Sequence, residues 1–427
     1  MKRKMISAWG YFFAVTMIAL TTISAHAGDS LPMVKPEKVG FSSERLKRVD
    51  RYLQNLVDQE QRAGFVYLVA RKGKIAHFNA VGWADIEQKR PMTRETIFAI
   101  WSMSKPITAA TLLTYYEEGH FDLQDTLSKH IPAFHHPKVL KSRSENGELV
   151  VEDAEREIEV WNLFNHTSGF SYSFWGDELA PIYNEANLWQ QDNLEGFTDT
   201  LATLPLLFHP GTSFKYSVGI DVLGRLAEMF SGKPLDETMR ERVWQPLGMK
   251  DTNFYVPEGK AHRFAQMYKT PDSGSGLELA YDEPGAPNEK PILFSGGGGL
   301  FSTVGDYWRF AQMLLNKGQL DDQRVLGRKT VELMTANALP DSLRPIMGGG
   351  RWHRGFGWGL SLAVLTDHPA NQILGSPGEY RWDGGSNVYF WNDPQEELIG
   401  ILMFQHEPWE GSIYRQYKTL VYQALVD

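Results

Sequence analysis

The chain has 427 residues, of which 42% are hydrophobic and 22% charged, and it carries a formal net charge of −9 with no cysteine. That length calls for one large or two interleaved domains, and the ordinary composition excludes a disordered chain. Net acidity argues against nucleic acid as a partner, because phosphate binding needs a basic face, and the lack of cysteine rules out a disulfide framework, a thiol nucleophile and a cysteine-linked lipid anchor.

The first residues have the pattern of a secretory signal. Lys2, Arg3 and Lys4 precede the apolar run "YFFAVTMIALTTI", and "AHA" at Ala25–Ala27 offers a small-x-small cleavage site. The expected division is a signal peptide at 1–27 and a mature chain from Gly28, periplasmic or secreted. Cleavage removes three basic residues and no acidic one, taking the net charge from −9 to −12. No later stretch is apolar enough to span a bilayer, so no membrane association is expected after cleavage.

"SSERLKRVDRYLQNLVDQEQ" places Leu46, Val49, Leu53 and Val57 at helical spacing. "GFVYLVARKGKIAHFNAVGWA" alternates on both sides of a turn at Lys72–Lys74 and predicts a hairpin. A helix then begins near Ser102 and runs to about Gly119. From about Asp122 to Tyr281 helical patches and long polar loops dominate, including a helix pair broken by Gly232 and Pro234. Four glycines, Gly296–Gly299, lead into a further helix, where Thr303 and Asp306 form a candidate capping box. "FGWGLSLAVL", "SNVYFWNDP" and "EELIGILMFQH" read as antiparallel strands, with a turn at Asn392–Gln395, and "SIYRQYKTLVYQALV" as a last helix.

The expected fold is mixed α/β of the α+β type. One antiparallel sheet, built from N- and C-terminal segments and flanked by helices, takes residues of about 35–120 and 295–427. A mostly helical lobe, about 121–294, is inserted between them.

No serine lies in G-x-S-x-G, and neither H-E-x-x-H nor a cysteine-based metal site is present. The glycine run lacks the Gly-Lys-Ser/Thr of a phosphate loop and reads as a tight packed turn. His120, His135 and His136 read as surface or packing residues. There remains "FAIWSMSKPITAA", in which Ser102 precedes Lys105 by three residues. Positions i and i+3 share a helix face, so a lysine there can take the proton of a serine hydroxyl, provided burial or a neighbour frees the amine of its own. Tyr216, between a Pro-Gly turn and a helix, is placed to relay protons if a nearby lysine lowers its pKa. Trp382-Asp383-Gly384-Gly385 sits at the start of a strand, where glycine allows a substrate to approach the backbone.

Together these motifs, with "LFNHTSGF", "LLFHPGTSFKYS", "QPLGMKDTNFYVP" and "SGGGGLFST", resemble the penicillin-recognising serine hydrolases, the serine β-lactamase-like superfamily. The resemblance spans about Lys38 to Val426 and is nearest to the family VIII carboxylesterases. It implies a β-lactamase/transpeptidase-like fold, with Ser102 as the acylated nucleophile, Lys105 as the lysine that helps deprotonate it, and Tyr216 as partner base and leaving-group acid. It also implies backbone N–H groups of Ser102 and Gly385 as oxyanion donors, and Trp382, Asp383 and Gly384 as the substrate-lining strand. Two departures, Val218 for the asparagine of β-lactamases and Trp382 for their strand lysine, remove groups that would hold a β-lactam's amide and carboxylate. Asp383 stands where the esterases usually have glycine; facing the cleft, it would hold Lys105 more firmly protonated or favour a cationic substrate, and facing away it would do little.

The function expected is hydrolysis of small carboxylic esters through an acyl-serine, with no cofactor and no metal. The alternatives are a β-lactamase, a D-aminopeptidase or D-alanyl carboxypeptidase-like amide hydrolase, an acyltransferase, or a silent binding protein of the same fold. The partner expected is a small ester or amide.

Overall fold

Every residue of β1 (Gly64–Arg71) is buried, which its apolar run allows only if both faces of the sheet are covered. The computed structural model describes residues 31–281, 286–348 and 351–427; the expected signal peptide lies outside the described residues. β1 pairs with β2 (Lys74–Asp85), which pairs with the two-residue β3 (Arg90–Pro91). The C-terminal strands are β4 (Phe356–Trp358), β5 (Ala363–Leu365), β6 (Tyr380–Gly384), β7 (Val388–Asp393) and β8 (Leu398–Met403). All join one antiparallel eight-stranded sheet in the order β4-β5-β6-β7-β8-β1-β2-β3.

Alternation sends successive side chains to opposite faces. Phe65, Tyr67, Val69, Tyr389 and Leu402 meet the amphipathic helix α1 (Ser43–Asp58) and the C-terminal helix (Gly411–Tyr422). Val66, Leu68, Phe390 and Ile401 belong to the larger core with α2 (Ser104–Glu117), α3 (Gly219–Ser231) and α4 (Val304–Leu315). α2 is buried on all sides from Ser104 to Tyr115, so it carries no amphipathic stripe and is held by tertiary packing. Gly232 ends α3 in the left-handed conformation, φ 68°, and its N–H bonds to Glu228 O at 2.8 Å, a glycine C-cap.

Four details differ from the sequence reading. The region 121–294 holds a hairpin, Lys138–Arg143 with Leu149–Asp153, turning at Gly147 with φ 84°; the Asn146-Gly147 dipeptide was its signal. Trp382-Asp383-Gly384 ends a strand rather than starting one. Asn392 and Asp393 belong to β7, so the turn into β8 is 394–397. Thr303 does cap α4, accepting from Asp306 N at 3.1 Å, but the Asp306 carboxylate accepts instead from Asp251 N at 2.7 Å and Thr252 Oγ1 at 3.0 Å. The capping box is therefore only half made.

Candidate active site

Ser102 lies in a tight turn, Trp101–Met103, that runs directly into α2. The turn is anchored on two sides. Ile100 N bonds to Leu300 O at 2.9 Å, and Tyr307 Oη donates to Met103 O at 3.0 Å. On the other side Ser386 Oγ and Gln405 Nε2 donate to Ala99 O at 2.8 and 3.2 Å. Trp101 adopts φ 43°, a conformation a bulky residue takes only when its surroundings impose it.

Lys105, one turn along α2, is 1% exposed. Its Nζ is 3.3 Å from Ser102 Oγ and donates to Gly297 O at 2.6 Å. Nζ also lies 4.6 Å from the centroid of the Tyr216 ring and 5.5 Å from that of Tyr172. Burial pushes the Lys105 ammonium down to about 7, opposed by the charge of Asp221. An amine in that range is substantially neutral near neutral pH, the condition a lysine base requires.

Tyr216 is hydrogen-bonded to Ser102, and its hydroxyl accepts from Trp382 Nε1 at 3.0 Å. The indole can only donate, so the phenol oxygen accepts there and its own proton points elsewhere. The sequence reading gave Tyr216 a proton relay on the condition that a nearby lysine lowers its pKa. Instead burial raises it far above the ordinary value, with Asp383 and Asp221 adding to the rise. Tyr216 is thus a neutral acid, not a phenolate. It is packed among aromatics, with His166 at 4.6 Å and Trp382 at 5.2 Å between ring centroids. Trp175 Nε1 fixes its carbonyl at 2.8 Å. His166 is fully buried and its pKa is held well below the ordinary value, first by burial and then by Lys105, so it stays neutral.

The end of β6 abuts the Trp101–Met103 turn. A Cβ at Gly384 would lie 2.3 Å from Ile100 O, which requires glycine there. At Gly385 the nearest atom to a Cβ would be Trp101 Cγ at 4.0 Å, so this residue faces open space beside the turn. β5 pairs only with Tyr380 and Arg381, leaving Trp382–Gly384 without a partner strand on that side. Trp382 belongs to the core that contains α2, whereas Asp383 is registered with Tyr389, on the opposite face. Its carboxylate is 3.9 Å from Arg381 Nη1. Asp383 is therefore turned from Lys105, and Trp382 alone of the pair meets the Tyr216 hydroxyl.

Asp221 escaped the sequence reading. It is fully buried on α3, and its Oδ1 accepts from Gly297 N at 2.8 Å and Ser295 Oγ at 2.7 Å. Oδ2 is buried without a hydrogen-bond partner. A Cβ on Gly297 would sit 2.5 Å from that oxygen, so the glycine run is a packed turn with a purpose. Its Gly297 bonds Asp221 through N–H and Lys105 through C=O. Burial raises the Asp221 pKa while Lys105 opposes that rise. Asp221→Asn keeps an oxygen for both bonds and removes the charge. The expected result is an acidic limb of the pH–rate profile shifted down by about one pH unit or more, because Lys105 then loses its proton more readily. A profile superimposable on the wild type would show that the carboxylate does not act on Lys105.

Two cavities flank this centre. One, of about 500 Å³, is lined by Trp175, Phe214, Tyr216, Leu343, Ile346 and Met347. The other, of about 520 Å³, is lined by Trp101, Phe264, Met267, Tyr281, Phe301 and Gln405.

Residues 49–423 match the Beta-lactamase family. The chain belongs to the β-lactamase family. Esterase EstB of Burkholderia gladioli is 28% identical over 390 residues, 85% of this chain and 91% of that one. An uncharacterised protein of Mycobacterium tuberculosis is 34% identical over 364 residues, 83% of this chain and 89% of the other. The structure of EstCE1, described as a hydrolase with promiscuous acyltransferase activity, superposes with a TM-score of 0.75 at 28% identity, covering 89% of this chain and 99% of that one. The resemblance read from the motifs is borne out, and this β-lactamase-family serine hydrolase stands near the family VIII carboxylesterases. Among the described residues no helix is long and apolar enough to cross a membrane.

Proposed function

We propose that the protein is an exported carboxylesterase, periplasmic or secreted, which cleaves small neutral esters through an acyl-Ser102 intermediate. The observation that carries this reading is the buried Lys105 amine, within 3.3 Å of Ser102 Oγ and depressed to about 7. Neutral Lys105 takes the proton of Ser102 as Oγ attacks the ester carbonyl. The N–H groups of Ser102 and Gly385 receive the oxyanion. Tyr216, neutral and oriented by Trp382, gives its proton to the departing alkoxide and is reprotonated from the Lys105 ammonium. Water then repeats the cycle on the acyl-serine and releases the acid.

Because Tyr216 protonates the leaving group, the cavity beside Tyr216 suits the alcohol and that beside Trp101 the acyl chain. Both walls are more apolar than polar, the first also carrying Ser213 and Ser342. The cations at the first, Lys215 and Arg344, are already paired with Asp177 and Asp341, which favours a neutral substrate over a carboxylate.

The test is p-nitrophenyl butyrate, quenched in the burst and analysed by mass spectrometry. A butyryl adduct of about 70 Da on the peptide bearing Ser102 is expected, as the chemistry of acyl-enzymes requires. Turnover without that adduct, or with it on another residue, overturns the assignment. Nitrocefin turnover matching ester turnover would move the substrate class to amides.

A further inference from the structure

His135, His136 and Glu157 lie in the lobe between residues 121 and 294, at the open end of the hairpin. Their potential ligand atoms all fall within 4.8 Å of one another. His135 and His136 follow the short helical turn Pro132–Phe134, and Glu157 comes four residues after the hairpin's second strand. Successive side chains in extended backbone point apart. Here His136 has φ 52°, in front of a proline that ordinarily favours extended backbone. The two imidazoles consequently share one side, with ring centroids 3.8 Å apart.

Glu157 is fixed from behind. Its Oε2 accepts from Ser128 Oγ at 2.6 Å, and its Oε1 meets His135 Nδ1 at 2.5 Å and His136 N at 3.4 Å. A ligating carboxylate held by a hydroxyl is the usual outer arrangement of a metal site. The bond from Ser128, then that from His135, keeps this carboxyl below its ordinary range, so it is anionic at neutral pH.

We propose that His135, His136 and Glu157 form a site for a borderline divalent cation such as Zn²⁺. Two imidazole nitrogens and one carboxylate oxygen suit zinc, nickel or copper rather than magnesium or calcium. Three protein ligands leave a position for water. Binding exchanges the hydrogen bond between His135 Nδ1 and Glu157 for bonds from both groups to the metal. The ion would tie the start of the hairpin to the segment that follows its second strand. None of these residues touches Ser102, Lys105 or Tyr216, so the site is independent of the esterase reading.

The test titrates ZnCl₂, and CoCl₂ as a spectroscopic probe, into the untagged full chain by calorimetry and absorption. One zinc per chain and four-coordinate Co²⁺ bands are expected at pH 7.5. His136→Ala and Glu157→Gln should each weaken binding by about tenfold or more while p-nitrophenyl butyrate hydrolysis stays at the wild-type rate. Absence of binding at pH 7.5, or equal binding by wild type and both variants, would overturn the proposal.

Discussion

Ser102→Ala is expected to reduce ester hydrolysis on the order of 10⁶-fold, the loss seen when a nucleophile that works as part of a unit is removed. The residual rate should be pH-insensitive between 6 and 8, because the Ser102–Lys105 proton transfer no longer limits it. Substrate binding should survive, since the walls of both cavities are untouched. The fold should survive too. Among the described residues Ser102 Oγ meets the Lys105 amine and the Tyr216 phenol, while the turn is held by backbone bonds of Ile100 and Met103. Circular dichroism and the p-nitrophenyl butyrate rate, measured on the same preparation, check both halves. Retention of more than about one part in 10² of the activity would mean that another nucleophile does the chemistry, since general acid–base assistance alone supplies only 10²–10⁴-fold.

Ser102 and Lys105 were legible because their relation is local. Three residues on a helix determine a distance, and the structure returns 3.3 Å. The sheet was legible for a similar reason, as alternation and unbroken apolar runs are properties of short segments. Tyr216 could be placed by its motif, but its protonation could not. The sign of its pKa shift depends on a shell of rings from His166, Trp175 and Trp382, which come from two parts of the chain distant from Tyr216 and from each other. Asp383 shows the same limit. Which face it takes is set by the register of β6 with β7, and moving the strand boundary by a few residues reverses the expectation. Asp221 was missed because a lone aspartate in an apolar helix has no signature until Gly297 is brought against it. The glycine run had been read as packing alone; contact with Asp221 and Lys105 gives it its place in the site.

Lys105→Met separates the base from the packing. Methionine matches the lysine stem in length and fills the same buried volume, so the apolar surroundings should accept it. Hydrolysis should fall by about 10³-fold, within the range assigned to a positioned base, and KM should change little, because the amine does not line either cavity. The wild-type pH–rate profile should rise through pH 7 as Lys105, held near 7 by burial, loses its proton; in Lys105→Met that limb should vanish. Lys105→Arg is the complementary control. A guanidinium stays charged throughout the accessible range and cannot accept the proton, so this variant should be as slow as Lys105→Met although it preserves a cation. The methionine variant also leaves Asp221 buried without its counter-charge. That carboxyl should then take up a proton at a higher pH than in the wild type, since burial disfavours an unpaired anion. Neutral Asp221 can still accept from Gly297 N and Ser295 Oγ through Oδ1, so the turn at residues 295–297 is preserved. The two effects are separable by experiment: kinetics reports the loss of the base, and the pH dependence of thermal unfolding reports the proton on Asp221. If Lys105→Met kept the limb near pH 7, that limb would belong to another group and Lys105 would be a structural cation.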